Sequence, residues 1–131
     1  MADDLSGKKI LLVDDDRDIL QAMEATLTDE GVDLLVARDG NTAIDLAQRE
    51  NPDLVVLDMM LPKRSGFLVL EKLSRGKDKS EMPLVIMITA NLGTRHKKYA
   101  ESLGVNEYIH KPFRMEKLVE KIKALFAEQD D

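Results

Sequence analysis

Four short, uninterrupted apolar runs constrain this chain more than any other feature. They are Ile10-Leu11-Leu12-Val13, Leu34-Leu35-Val36-Ala37, Leu54-Val55-Val56-Leu57 and Leu84-Val85-Ile86-Met87-Ile88. Tyr108-Ile109 is a weaker fifth. None alternates apolar with polar, so none reads as a strand with one face in water. Continuous runs of this length read as strands buried on both faces.

Helical stripes lie between the runs. Ile19, Leu20, Met23 and Leu27 follow helical spacing, with Asp16 placed to cap the N-terminus. Ala43, Ile44 and Ala47 form a second stripe, with Asn41 near its start. Phe67, Leu70 and Leu73 form a third, with Ser65 as candidate cap. Thr94 to Leu103 is helical but weakly amphipathic, since Arg95-His96-Lys97-Lys98 has little to bury. Met115, Leu118, Val119, Ile122, Leu125 and Phe126 give the strongest stripe. Strand alternating with helix five times predicts an α/β fold: a doubly wound, five-stranded parallel sheet with five helices on its two faces. At 131 residues, with no repeat and no interdomain linker, one domain is expected over 1–131, its core at about 8–127. Gly76 to Met82 is the one loop-like insertion, and Glu128 to Asp131 could begin a linker.

The polar residues that follow the strands carry the chemistry. Asp14-Asp15-Asp16 follows the first run, Asp58 the third and Thr89 the fourth; Lys111 comes after the fifth, beyond His110. In a parallel sheet these carboxyl ends share one edge, where ligands of open α/β sheets bind. Each residue alone has a plainer explanation. A carboxylate ending a strand is usually a turn former or helix cap, and Asp16 suits a cap better than a ligand. Four strands ending this way together point to one crevice. Asp14, Asp15 and Asp58 brought together repel, which raises a pKa unless a cation intervenes. Oxygen donors without His or Cys select a hard ion, Mg²⁺ or Mn²⁺. A hydroxyl at Thr89 and an ammonium at Lys111 suit a phosphoryl group, and a carboxylate can itself accept one.

Composition removes other classes. The 19 Lys+Arg against 25 Asp+Glu leave a net charge of −6, which argues against direct nucleic-acid binding. The absence of Cys excludes thiol catalysis and zinc–thiolate sites, and two His are too few for a multi-His metal site. No signal-peptide pattern and no run near the ~20 apolar residues of a spanning helix is present. A cytoplasmic location without membrane contact is expected.

These motifs resemble the receiver domain of two-component response regulators. They are Ile10 to Asp16 (ILLVDDD), Leu54 to Pro62 (LVVLDMMLP) with Gly66 following, Val85 to Ala90 (VIMITA) and Tyr108 to Phe113 (YIHKPF). The resemblance covers about residues 8 to 127, and the length is close to that of stand-alone chemotaxis members. It implies a flavodoxin-like three-layer sandwich with strand order 2-1-3-4-5. It implies Asp58 as phosphoacceptor, Asp15 as direct Mg²⁺ ligand and Asp14 as its neighbour acting through water. The Met60 backbone carbonyl would complete the metal site. Thr89 would be the switch hydroxyl, Lys111 the lysine pairing with the phosphoryl group, and Tyr108 the aromatic that changes rotamer. The bond before Pro112 would be cis, aiming Lys111 inward. Met60 and Asn91 would flank the path of the attacking water and tune lifetime.

The implied function is a switch, not an enzyme, beyond catalysing its own phosphorylation and dephosphorylation. A histidine kinase or phosphotransfer protein would load Asp58. The face of the fourth helix, fifth strand and fifth helix would then change, to be read by a protein target or output domain, or by a second copy in a homodimer. The basic run Arg95 to Lys98 would be a solvated part of that face, or a docking patch for an acidic partner. An alternative is a haloacid-dehalogenase-like phosphohydrolase with Asp14 as nucleophile and Asp14-x-Asp16 as its motif. Asp18 departs from that motif, and Asp58 is left unexplained. A flavin binder is set aside, because three aspartates after the first strand would repel a phosphate. Whether the receiver stands alone or belongs to a longer regulator turns on the native reading frame.

Overall fold

The computed structural model describes residues 5–61, 65–74, 82–90 and 94–130; the side chains of 94–96 and 130 are outside that description. The chain alternates β1 (Lys9–Val13), α1 (Arg17–Thr28), β2 (Asp33–Ala37), α2 (Gly40–Glu50), β3 (Leu54–Asp58), α3 (Gly66–Ser74), β4 (Leu84–Thr89), α4 (Thr94–Ser102), β5 (Glu107–His110) and α5 (Met115–Asp130). The five strands form one parallel sheet in the order β2-β1-β3-β4-β5.

The unbroken apolar runs follow from two cores, one on each face. Ile10, Leu12, Leu54, Val56, Ile86 and Ile88 point to one face and meet Leu20, Met23 and Leu27 of α1 and Leu118, Ile122, Leu125 and Phe126 of α5. Leu11, Val13, Val55, Leu57, Val85 and Met87 point to the other face. There they meet Ala43 and Ala47 of α2, Val69, Leu70 and Leu73 of α3, and Ala100 of α4. Successive strand residues face opposite sides, so a central strand is apolar throughout its interior, and polar residues appear only at its ends.

One reading needs correcting at the sheet edges. Leu34, Leu35 and Val36 of β2 are only partly buried, whereas β3 is buried throughout. Their run is as apolar as the others, but β2 has a neighbour on one side only. β5, the opposite edge, likewise fully buries only Ile109.

Helix starts follow local side-chain chemistry. Asp16 accepts hydrogen bonds from the backbone N–H of Asp18 and Ile19 and caps α1. Ser65 Oγ accepts from Leu68 N–H at 3.3 Å at the head of α3. The cap of α2 is Asp39, whose Oδ1 accepts from Thr42 N–H at 2.9 Å; Asn41 lies inside the helix. The loop-like stretch from Gly76 lies outside the described residues up to Met82.

Gly66 opens α3 for a steric reason. A Cβ there would lie 2.7 Å from Met59 Cα and 2.8 Å from the Asp58 carbonyl oxygen. Its N–H also donates to the Met59 carbonyl at 2.8 Å. The head of α3 therefore rests directly on the backbone that ends β3. Gly66→Ala is expected to lower stability by about 1–3 kcal/mol, because backbone has to yield. Urea unfolding measures this, and an unchanged midpoint would contradict the close approach.

Candidate functional site

The order of the sheet decides where the site lies. β2 lies to one side of β1, and β3, β4 and β5 lie to the other. The winding therefore reverses between β1 and β3. At such a switch point the loops leaving two adjacent strands part and open a crevice. Asp14 and Asp15 leave β1 there, and Asp58 ends β3. Thr89 ends β4 beside it, and Lys111 follows β5, its N–H donating to the Thr89 carbonyl at 2.8 Å.

The acidic residues do meet. Carboxylate oxygens of Asp14, Asp15 and Asp58 lie within 4.8 Å of one another. Asp14 and Asp58 are buried and Asp15 is exposed. Asp14 Oδ1 accepts from Asp16 N–H at 2.9 Å, and Asp58 Oδ1 accepts from Met60 N–H at 3.2 Å. These bonds leave the second oxygen of each carboxylate facing the crevice cation. Lys111 Nζ lies 3.3 Å from Asp14 Oδ2 and 3.6 Å from Asp58 Oδ2. Asp14 Oδ2 pairs with that ammonium by charge but accepts no hydrogen bond.

The electrostatics follow from this geometry. Burial first, and the neighbouring Asp14 charge second, raise Asp58 to about 6, the net of all its surroundings. The Met60 N–H and the Lys111 ammonium pull it down, and Asp15 adds a small upward push. One lysine does not neutralise three carboxylates. A buried carboxylate oxygen without a hydrogen bond, inside an all-oxygen cluster, is what a hard divalent cation satisfies. The donor set fits Mg²⁺ or Mn²⁺ and offers nothing to a soft metal.

The remaining predicted residues fall as follows. Thr89 is buried at the end of β4. Met60 carries its side chain outward, 72% exposed, while its backbone touches Asp58. The Lys111–Pro112 peptide bond is cis. Tyr108 stands half-buried, its hydroxyl donating to the Lys97 carbonyl at 2.7 Å and Lys97 Nζ 5.2 Å above its ring. Burial, with the Glu101 charge second, raises that phenol to about 12, so it remains a donor at neutral pH. Asn91 lies outside the described residues.

Asp16 stays out of the cluster, because its carboxylate is spent on capping α1. The pair Asp14-x-Asp16 required by the phosphohydrolase alternative is therefore not assembled. Gly66 is the contributor whose role the sequence pattern did not convey. The signal was available: a glycine opens the helix after Asp58, where no cap or turn calls for one.

Residues 10–123 match the family model described as response regulator receiver domain. Among solved structures, a CheY-like receiver domain protein from Methanospirillum hungatei is 30% identical, with a TM-score of 0.86 over 94% of this chain and 96% of that one. The receiver domain of a Francisella response regulator is 29% identical, with a TM-score of 0.83 over 94% and 99%. The BeF3-activated N-terminal receiver domain of Klebsiella pneumoniae RstA is 26% identical, with a TM-score of 0.78 over 89% and 97%. The match runs through all five strands and the crevice they share, and this chain belongs to the response regulator receiver family, the phosphorylation-dependent switches of two-component signalling.

Proposed function

We propose that Asp58 is the phosphoacceptor, loaded from the phosphohistidine of a sensor kinase or phosphotransfer protein. The observation that carries this reading is the carboxylate cluster paired to one lysine at a parallel-sheet switch point. Asp58 Oδ attacks phosphorus in line, forming a P–O bond as the P–N bond breaks. The electron pair leaves on the imidazole, which takes up a proton. Lys111 is poised to follow the transferred group, since it already lies between Asp14 and Asp58. Its ammonium offsets charge on the equatorial oxygens.

Asp14, Asp15, Asp58 and the Met60 carbonyl would hold Mg²⁺ or Mn²⁺. When bound, the ion supplies charge neutralisation where the three carboxylates and the phosphoryl oxygens crowd together. The chain's own part is to position the nucleophile through the Met60 N–H and to hold Lys111 beside it.

Thr89 is the switch hydroxyl, turning toward the phosphoryl group with the segment that follows it. Tyr108 responds, because its hydroxyl is bonded to α4. The α4-β5-α5 face then changes, and a protein partner, an output domain or a second copy reads it. A groove of about 830 Å³ along β5 and α5, lined by Tyr108, His110, Phe113, Arg114 and Lys117, supports this face as the reading surface. The response is a population shift, as large as the difference with which two conformations hold the phosphoryl group. The reading takes the chain as one domain over 1–131, working in the cytoplasm. No helix of the described residues is long and apolar enough to cross a membrane.

The test is intact mass after incubation with a small acyl phosphate, with and without Mg²⁺. Gain of one phosphoryl unit only with Mg²⁺, mapped to Asp58, is expected. Uptake on Asp14 would instead favour the phosphohydrolase alternative. No uptake by folded protein would remove the trigger of the switch.

Met60 sets a second expectation. Its exposed thioether stands two residues after Asp58 and neither donates nor strongly accepts a hydrogen bond. Met60→Asn adds an amide that can orient water toward the acyl phosphate, and is expected to shorten its lifetime severalfold. An unchanged decay rate, followed by mass after donor removal, would exclude this side chain from lifetime control.

A further inference from the structure

Among the described side chains, α4 buries the fewest of any helix. Of its described side chains, residues 97–102, only Ala100 is buried. α5 buries Leu118, Ile122, Leu125 and Phe126 by comparison. With so little buried apolar area, α4 belongs to the low-stability end of the structure, where displacement costs least. Contacts at its rim therefore decide where it sits.

Among the described residues, two tyrosines make such contacts. Tyr108 reaches up from β5 to the Lys97 carbonyl. Tyr99, on α4 itself, reaches across to α3. Its hydroxyl donates to Glu71 Oε2, and its ring tilts against Phe67 with centroids 5.5 Å apart. The two sides of the Tyr99 contact differ in firmness. α3 buries Val69, Leu70 and Leu73, and its head rests on the β3 backbone through Gly66. α3 is therefore the firmer side of this contact and α4 the more weakly held one. A shift of α4 by a few ångströms breaks the bond to Glu71. In the same arrangement Lys111 pairs with the carboxylates of Asp14 and Asp58.

We propose that the Tyr99–Glu71 contact is a clasp that holds α4 against α3 and acts as a brake on the switch. The proposal rests on the reading of Asp58 as phosphoacceptor and adds a regulatory element on the far side of α4 from Tyr108. A charge-assisted hydrogen bond at an exposed site shifts a two-state equilibrium about fivefold. Cutting the clasp releases α4 by that factor, and a ligand favouring the displaced state binds correspondingly tighter. Glu71 and Tyr99 are thus positioning residues. They touch no reacting atom.

The experiment compares the full chain with Tyr99→Phe, Glu71→Gln and the double variant. Tyr99→Phe keeps the ring against Phe67 and removes only the hydroxyl, so folding is retained. The first readout is amide hydrogen exchange, which does not involve Asp58. Exchange across 99–102 is expected to quicken about fivefold in each variant while α1 is unaffected. The second is calorimetric titration with beryllofluoride and Mg²⁺, a phosphoryl mimic. About fivefold tighter binding is expected in each single variant, with no further gain in the double, because both remove one interaction.

Unchanged α4 exchange in both single variants overturns the clasp. Faster exchange with unchanged or weaker beryllofluoride binding overturns its control of the switch. Additive effects in the double variant overturn the pairing of these two residues. Failure of the unaltered protein to bind beryllofluoride overturns the Asp58 reading and the brake with it. The exchange result distinguishes that failure from failure of the clasp.

Discussion

Asp58→Asn is expected to abolish phosphoryl uptake from acyl phosphate while making the metal-free protein more stable at neutral pH. Loss of uptake follows from removing the proposed nucleophile, since an amide oxygen does not form the acyl phosphate. The gain in stability follows from the charge pattern. Asp58 is buried beside Asp14 and held at about 6, against an ordinary value of 3.8. Its folded pKa is raised, so folding favours the protonated carboxyl. Stability from this group is fully present below pH 3.8 and is lost as pH rises through about 6. Two pKa units correspond to roughly 3 kcal/mol, an upper figure for a group in so crowded a cluster. Asn keeps an oxygen for the Met60 N–H and carries no charge. Asp58→Asn in a chelating buffer should therefore unfold at higher urea than the parent at pH 7.5, by about 1–3 kcal/mol. The difference should vanish near pH 4. Equal midpoints at both pH values would mean that the buried carboxylate is not held against its preference. Adding Mg²⁺ should restore much of the parent's deficit and do little for the variant, because the ion binds the carboxylates it neutralises.

Lys111→Ala is expected to slow phosphoryl uptake by about two orders of magnitude, the usual effect of removing one preorganised charge from a developing anion. The same change should raise the Asp58 pKa above about 6, because the Lys111 charge is one of the two influences that lower it. The two effects are separable. Lys111→Arg keeps the positive charge but replaces a compact ammonium with a planar fork on a differently shaped stem. It should keep the Asp58 pKa near the parent value and recover only part of the rate. Carbon-detected titration of the aspartate carboxyls measures the first property, and initial phosphorylation rates by mass measure the second. An unchanged rate in Lys111→Ala would confine the lysine to charge balance within the cluster.

Legibility from the sequence differed from element to element. The three central strands were plain, because burial on two faces imposes an unbroken apolar run and each run carries its own evidence. The helices of the same layers were equally plain, since 3.6-residue periodicity is local. Asp16 could be read as a cap for the same reason: its partners are two and three residues away. β2 shows where local reading stops. Its run is as apolar as that of β1, yet its edge position leaves it only partly buried. Strand order itself came from resemblance to a family, because right-handed crossovers alone leave several orders open.

The crevice was legible for a related reason. In any parallel sheet the residues that follow the strands share one edge, so Asp14, Asp15, Asp58, Thr89 and Lys111 could be grouped before their contacts were known. Mutual repulsion already implied a raised carboxyl pKa, but distances, burial and which carboxylate carries the shift could not be read. They depend on β1 and β3 being neighbours, and on where one lysine side chain comes to rest. Gly66 acts on a backbone seven residues away, and Tyr99 meets Glu71 across 28 residues.

The sequence by itself therefore determined the alternation of elements, the two-sided core and the set of polar residues at the strand ends. Each is written in local patterns: unbroken apolar runs, stripes at helical spacing, and the residues that directly follow a run. Tertiary structure alone decided which strands lie at the edges, how strongly Asp58 resists ionisation and what holds α4. Those properties belong to pairs of groups far apart in the chain, whose energies depend on a separation that only the folded backbone sets.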